Sequence, residues 1–236
     1  VLKPTGSLYL HCDPTASHYL KLVLDQVFGP ANFRNEIVWR RTRPKGLAFT
    51  RFASNHDIIL RYTKSEKWCW NAQYKGHDPE YLSNFYRYTE PETGRRYRLD
   101  NLLNPNKNRP NLTYEFLGVT RVWRWTRERM QEAYEKGLII QSKPGIVPML
   151  KRYLDEQEGT PVDDIWDDIS LVTAHAKEKL GFETQKPLAL LERIIKASCN
   201  EGGIVLDPFC GCGTALVAAQ KLNRRWIGID ITHLAI

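Results

Sequence analysis

The residues of this chain best suited to chemistry lie together in the run Asp207-Pro208-Phe209-Cys210-Gly211-Cys212-Gly213-Thr214. Ile204-Val205-Leu206 before it reads as a short strand of the fully buried kind, and Thr214 to Leu222 after it as an Ala-rich helix. In α/β folds, ligands sit beyond the carboxyl ends of the strands, and glycines there let backbone approach a ligand with no side chain in the way. Trp226 to Ile229 reads as the next strand, and Asp230 ends it, 23 positions after Asp207. An acid about 20 residues beyond such a loop is placed to hold ribose hydroxyls. The unit therefore suits a ligand that contains adenosine.

The choice among such ligands follows from what the loop lacks. A dinucleotide fingerprint needs a third Gly or Ala, where this chain has Leu216, and no Gly-Lys-Ser/Thr of a phosphate loop follows. Asp207 at the strand end would repel a pyrophosphate and attract an ammonium group. A ligand with an adenosine, a cationic amino acid and no phosphate fits, and S-adenosylmethionine is such a molecule. A bare Gly-x-Gly serves equally well to shape a tight turn; only the whole strand–loop–helix–strand–Asp constellation separates the two readings. Cys210 and Cys212, with no further Cys or His close in sequence, make a poor metal site, so they read as small loop residues and no metal is expected.

The elements that must position this loop alternate along the chain. Ser7 to Cys12 reads as a buried strand, and Asp13 caps a helix that opens on Pro14. Ala16, Leu20, Val23, Leu24 and Val27 recur at helical spacing and are expected to face the core, and Gly29-Pro30 ends the helix. Glu36 to Arg40 and Asp57 to Tyr62 are the next strands, separated by a basic loop that contains Arg40, Arg41, Arg43 and Lys45. From residue 65 aromatic and basic residues interleave, as in Arg95-Arg96-Tyr97-Arg98 and Arg121-Val122-Trp123-Arg124-Trp125, with one helix from a Thr126 cap to a Gly137 stop. Regular α/β texture returns with a helix from Pro187 to Asn200. The pattern predicts an α/β fold, a Rossmann-like parallel sheet with helices on both faces. It divides into a first core part over 1–64, an inserted lobe over 65–165 and a cofactor-binding core part over 166–236.

Bulk properties bound the function more loosely. The 236 residues, 42% hydrophobic, suffice for one sizeable core and a smaller lobe. A net charge of +7, from 34 basic and 27 acidic residues, favours a polyanionic partner without requiring one. Five cysteines without a Cys-x-x-Cys argue for a reducing compartment, and no apolar run approaches the ~18 residues of a membrane span.

At this point the chain resembles the amino-methyltransferases of DNA, in the permuted class whose cofactor motif lies near the C-terminus. Asp207 to Thr214 looks like that family's cofactor loop, and Gly228-Ile229-Asp230-Ile231 like its ribose-binding strand end. Thr184-Gln185-Lys186-Pro187 looks like the motif that lies against the methionine part of the cofactor, where a helix start beside Lys186 suits a carboxylate. Ser7 to Cys12 and Asn35 to Trp39 are similar to its middle strands, and Ser54 to Leu60 to its late strand at the antiparallel edge of the sheet.

The resemblance implies an S-adenosylmethionine-dependent DNA methyltransferase of a restriction-modification or orphan system, acting on an exocyclic amine, adenine in preference to cytosine. Double-stranded DNA is the implied partner, with the base flipped out of the stack. A homodimer and a cognate restriction endonuclease stay open as further partners, and the bacterial or phage cytoplasm is the implied location. The implied cofactor contacts are Thr184, Gln185, Lys186, Pro187, Asp207, Pro208, Phe209, Cys210, Gly211, Gly213, Thr214 and Asp230. Arg40, Arg41, Arg43 and Lys45 are the candidates for DNA phosphates, and the lobe takes the place of the target-recognition region.

One departure stands out. The family's Pro-Pro-aromatic catalytic signature, expected before Ser7, is absent, because no Pro-Pro occurs in the sequence. The expectation is a chain that starts just after that signature and is inactive alone, so no catalytic residue is assigned. Two other readings remain: a non-catalytic nucleic-acid-binding module with a degenerate methyltransferase fold, and a methyltransferase for RNA or a small molecule.

Overall fold

A computed structural model describes residues 1–43, 50–173, 176, 178–182 and 184–231. The chain divides into two compact units, Val1–Gln73 with Pro161–Ile236, and Tyr74–Thr160. Residues 65–73 and 161–165, grouped with the lobe on sequence texture, lie in the first of these.

The first unit opens with β1 (Ser7–Cys12) and α1 (Pro14–Phe28), and Asp13 Oδ1 accepts the Ala16 N–H at 2.8 Å as the expected cap. β2 (Phe33–Arg40) and β3 (His56–Thr63) follow. β3 lies between β1 and β2 and runs antiparallel to both. The late strand is therefore antiparallel, as the resemblance implies, but it sits inside this sheet and not at its edge.

Side-chain alternation along β3 explains how the sheet is covered. Ile58, Leu60 and Tyr62 pack with Leu24 and Leu20 of α1. On the opposite face Ile59 joins Ile37, Trp39 and Leu190. Arg61 shares the Ile59 face and is buried, with its guanidinium stacked over the Trp70 ring at 4.0 Å. On α1, Leu24 is buried, but Val23 and Val27 are 53% and 63% exposed. Both were expected in the core; the sheet reaches only the stripe that contains Leu20 and Leu24, and the turn of the helix carries the two valines outside it.

The second unit holds β4 (Tyr74–Lys75), α2 (Pro79–Phe85), β5 (Tyr88–Thr89), β6 (Arg96–Asn101), β7 (Thr113–Phe116), β8 (Val119–Val122), α3 (Arg127–Glu135), β9 (Ile139–Ile140) and β10 (Met149–Tyr153). Its main sheet has the order β5-β6-β10-β9, and β7 pairs with β8 in a hairpin. Trp123 and Met130 are fully enclosed among Leu102, Phe116, Ile139 and Leu150. α3 follows Thr126 and ends before Gly137, whose φ of 68° is the left-handed turn that stops it.

Past β11 (Thr160–Pro161), β12 (Ile165–Trp166) returns to the first unit and adds to β2 in parallel. α4 (Leu188–Ser198) lays Leu190 on the Ile37–Trp39–Ile59 face, so helices cover both faces of the four-stranded sheet. β13 (Ile204–Asp207), α5 (Thr214–Lys221) and β14 (Arg225–Gly228) close the chain, with β13 and β14 parallel. Ala218 and Ala219 of α5 pack against Ile195 of α4. β13 departs from the fully buried strand expected: Ile204 and Leu206 are 43% and 41% exposed, because α5 and α4 cover only the face that carries Val205.

Candidate functional site

The loop from Asp207 to Thr214 is built by backbone bonds between the ends of two parallel strands. Asp207 stands opposite Gly228, Ile229 N–H donates to Asp207 C=O at 2.9 Å, and Cys210 N–H donates to Ile229 C=O at 3.0 Å. Gly213 caps α5 with φ 76° and ψ 18°, and Gly211 has φ 50°. A side chain at either would be strained, so the sequence needs glycine at both. Asp207 Oδ1 accepts the Phe209 N–H at 3.1 Å, which tightens the strand-to-loop turn. Asp230 Oδ2 accepts the Gly211 N–H at 2.8 Å. Asp230, two residues past the end of β14, is thus bound to the middle of the glycine loop, and the two features singled out in sequence are one structure.

The Thr184–Pro187 segment meets this loop. A Cβ built on Gly211 would stand 3.1 Å from the Phe182 ring, and Lys186 lies within electrostatic reach of Cys212. Lys186 Nζ donates to Thr184 C=O at 2.9 Å, and Gln185 Oε1 accepts the Leu180 N–H at 2.8 Å. Burial lowers the Lys186 pKa from its ordinary value, against the opposing pull of Asp57 and Cys212. Pro187 sits one position outside α4, as its cap and not its first residue, and Leu188 N–H donates to Glu178 Oε2 at 3.0 Å. The amide at the helix start already holds a carboxylate, which leaves the Lys186 ammonium as the better anchor for a ligand carboxylate.

The chemistry of these groups fits S-adenosylmethionine. Asp207 and Asp230 supply anionic acceptors for an ammonium group and for hydroxyls, and Lys186 supplies a cation for a carboxylate. Phe209 is 85% exposed beside the loop, and with the exposed Ile231 it offers apolar surface for a purine. Pro208, Cys210 and Thr214 complete the turn; Cys212 Sγ and Thr214 Oγ1 are 3.4 Å apart, and all five cysteines are free thiols.

The basic candidates separate. Arg40 pairs with Asp167 at 3.1 Å, and Arg41 Nε pairs with Asp57 Oδ1 at 3.0 Å. Arg43 is exposed, and Lys45 lies outside the described residues. Sequence reasoning passed over His11 and Asp57, which stand 3.0 Å apart through His11 Nε2 and Asp57 Oδ2. The available signal was that His11 and Asp57 both fall at predicted strand ends.

Comparison with known proteins identifies the family of the chain. A family described as DNA methylase matches residues 1–236, and the chain belongs to that family. The Type II methyltransferase M1.MboII of Moraxella bovis is 36% identical to it, over 98% of this chain and 69% of that protein. The Type II methyltransferase M.EcaI of Enterobacter cloacae is 33% identical over 98% of this chain and 51% of its own length. The chain thus spans about half the length of M.EcaI, and 36% of the Mod subunit of the Type III restriction-modification enzyme StyLTI of Salmonella typhimurium. A crystal structure of an M1.HpyAVI-SAM complex overlaps 99% of this chain and 74% of its own, at a TM-score of 0.47 and 19% identity.

Proposed function

We propose that this chain carries the cofactor-binding core of a DNA methyltransferase, which moves a methyl group from S-adenosylmethionine to the exocyclic amine of adenine in DNA. The observation that carries the reading is the Asp207–Thr214 loop closed by Asp230, in a chain of the DNA methylase family. Glycine amides and Asp230 receive the adenosine, Asp207 the ammonium group, and Lys186 the carboxylate. Thr184, Gln185 and Pro187 shape the opposite wall. The choice of adenine rests on overall likeness to the family alone, and the nucleoside analysis below decides it.

The 74–160 unit is assigned to target recognition and Arg43 to a DNA phosphate, where it would orient the duplex without reading sequence. Restriction-modification relatives make a bacterial or phage cytoplasm the expected setting, with a cognate endonuclease and a homodimer as partners to test.

The test is labelled methyl transfer to DNA by the protein expressed from the complete gene, followed by nucleoside analysis. Label in N6-methyladenine is the expected result. Label in N4-methylcytosine would overturn the base assignment, and binding of DNA without transfer would favour the non-catalytic module.

A further inference from the structure

His11, Asp57 and Arg41 form a cluster that the cofactor reading leaves unused. Because β3 runs antiparallel to its neighbours, its first residues stand at the same sheet end as the last residues of β1 and β2. His11 pairs in register with Ile59, Cys12 with Ile58, and Arg40 with His56. This is the carboxyl end of β1 and β2, the end at which α/β sheets place ligands.

The cluster is fixed from several sides. Asp57 Oδ2 is 3.0 Å from His11 Nε2 in a hydrogen bond, and Asp57 Oδ1 is 3.0 Å from Arg41 Nε in an ion pair whose direction falls short of a hydrogen bond. A carboxylate only accepts, so the hydrogen sits on His11 Nε2 and the lone pair on Nδ1. Trp39 meets the imidazole edge-on, with ring centroids 5.7 Å apart. Lys186, from the segment preceding α4, acts electrostatically on His11, on Asp57 and on Cys212 of the glycine loop. The imidazole therefore shares a lysine with the proposed cofactor site. It is also open to solvent over 27% of its side chain.

We propose that His11 accepts the proton released when the target amine is methylated, with Asp57 and Arg41 as positioning residues. The inference rests on the methyltransferase reading above. The lone pair of the amine nitrogen forms the new N–C bond while the S–C bond breaks. That bonding pair stays on sulfur, which becomes a neutral thioether. The nitrogen sheds one N–H proton to His11 Nδ1, and the imidazolium is stabilised by the Asp57 carboxylate until the proton passes to water.

Three charged groups face the ring: Asp57 from β3, Arg41 from the segment after β2, and Lys186 from the segment before α4. Burial, then Lys186, depress the His11 pKa below its ordinary value against the opposing pull of Asp57. The ring is thereby neutral, as a proton acceptor must be, at neutral pH.

The test uses the protein from the complete gene. His11→Gln is expected to lower kcat about 100-fold, with calorimetric affinity for S-adenosylmethionine unchanged and the acid limb of the kcat–pH profile gone. Asp57→Asn removes the group that favours the imidazolium. The His11 titration followed by NMR in the cofactor-free protein, and the acid limb with it, should then move to lower pH. A His11→Gln variant with wild-type kcat, or with the acid limb intact, would overturn the proposal. So would a loss of rate matched by a loss of cofactor affinity, which marks a purely structural cluster. A wild-type protein that binds S-adenosylmethionine but methylates no DNA would instead sink the methyltransferase reading, and this inference with it.

Discussion

The glycine loop and the 74–160 unit use their sequence signals in opposite ways. In the loop the signal is backbone: Gly211 and Gly213 are glycines because φ is positive there, and Asp230 binds the Gly211 amide directly. In the 74–160 unit the interleaved arginines and aromatics resemble a nucleic-acid surface, yet many of them are spent inside the unit. Arg95 stacks 3.7 Å over Tyr153 while it pairs with Asp155 and Glu156. Arg98 Nη1 donates to Tyr81 Oη at 2.9 Å, and Arg152 pairs with Asp100. Trp123 is wholly buried, and its indole N–H donates to Tyr114 C=O at 2.8 Å. A motif whose chemistry needs particular dihedrals keeps its meaning in one dimension. A composition does not, because the same arginine can meet a phosphate or a neighbouring carboxylate.

The largest expected effect tests whether the two regions are independent. Trp123→Ala should destabilise the 74–160 unit by about 3–5 kcal/mol, seen as an early transition in thermal denaturation. Binding of S-adenosylmethionine at the glycine loop should persist below that transition. Loss of binding at temperatures where the first unit is intact would break the separation.

A smaller effect concerns pH. Glu90 accepts from Tyr153 Oη at 2.6 Å and Lys151 Nζ at 2.9 Å, and these bonds, with Thr93, hold its carboxyl down to about 2 from 4.5. A carboxyl depressed in the folded state contributes stability that is complete above its unfolded pKa and is lost as pH falls through the folded one. Stability of the 74–160 unit should therefore decline between about pH 4.5 and 2. Glu90→Gln should remove that part of the decline in acid titrations monitored by circular dichroism.

The smallest effect sharpens the contrast among arginines. Arg43→Ala is expected to lower DNA affinity uniformly across sequences and to reduce the slope of log affinity against log salt by about 1. Arg40→Ala, which removes the partner of Asp167, should change that slope less. Equal slopes for the two variants would show that the Asp167 ion pair does not decide which arginine meets DNA.

Much of the first unit was legible because its signals are local. Asp13-Pro14 capped α1 as expected, and the strand over Ser7–Cys12 has the predicted bounds. What stayed hidden depends on partners distant in sequence. Val23 and Val27 have core spacing but no sheet beneath them, and Arg61 is buried because Trp70 supplies a ring to stack on. His11 and Asp57, 46 residues apart, meet only through the antiparallel pairing of β1 with β3. The cofactor loop needed one such partner, Asp230, which spacing had marked for ribose hydroxyls and which also accepts the Gly211 N–H.

Calorimetric titration of S-adenosylmethionine into the wild-type protein and its Asp207→Ala variant tests the central claim most directly. Loss of a charge-assisted hydrogen bond of about 1.5–3 kcal/mol predicts affinity weakened roughly 10- to 100-fold. No binding by the wild-type protein, or equal affinity in the variant, would contradict the assignment of the Asp207–Thr214 loop as the cofactor site.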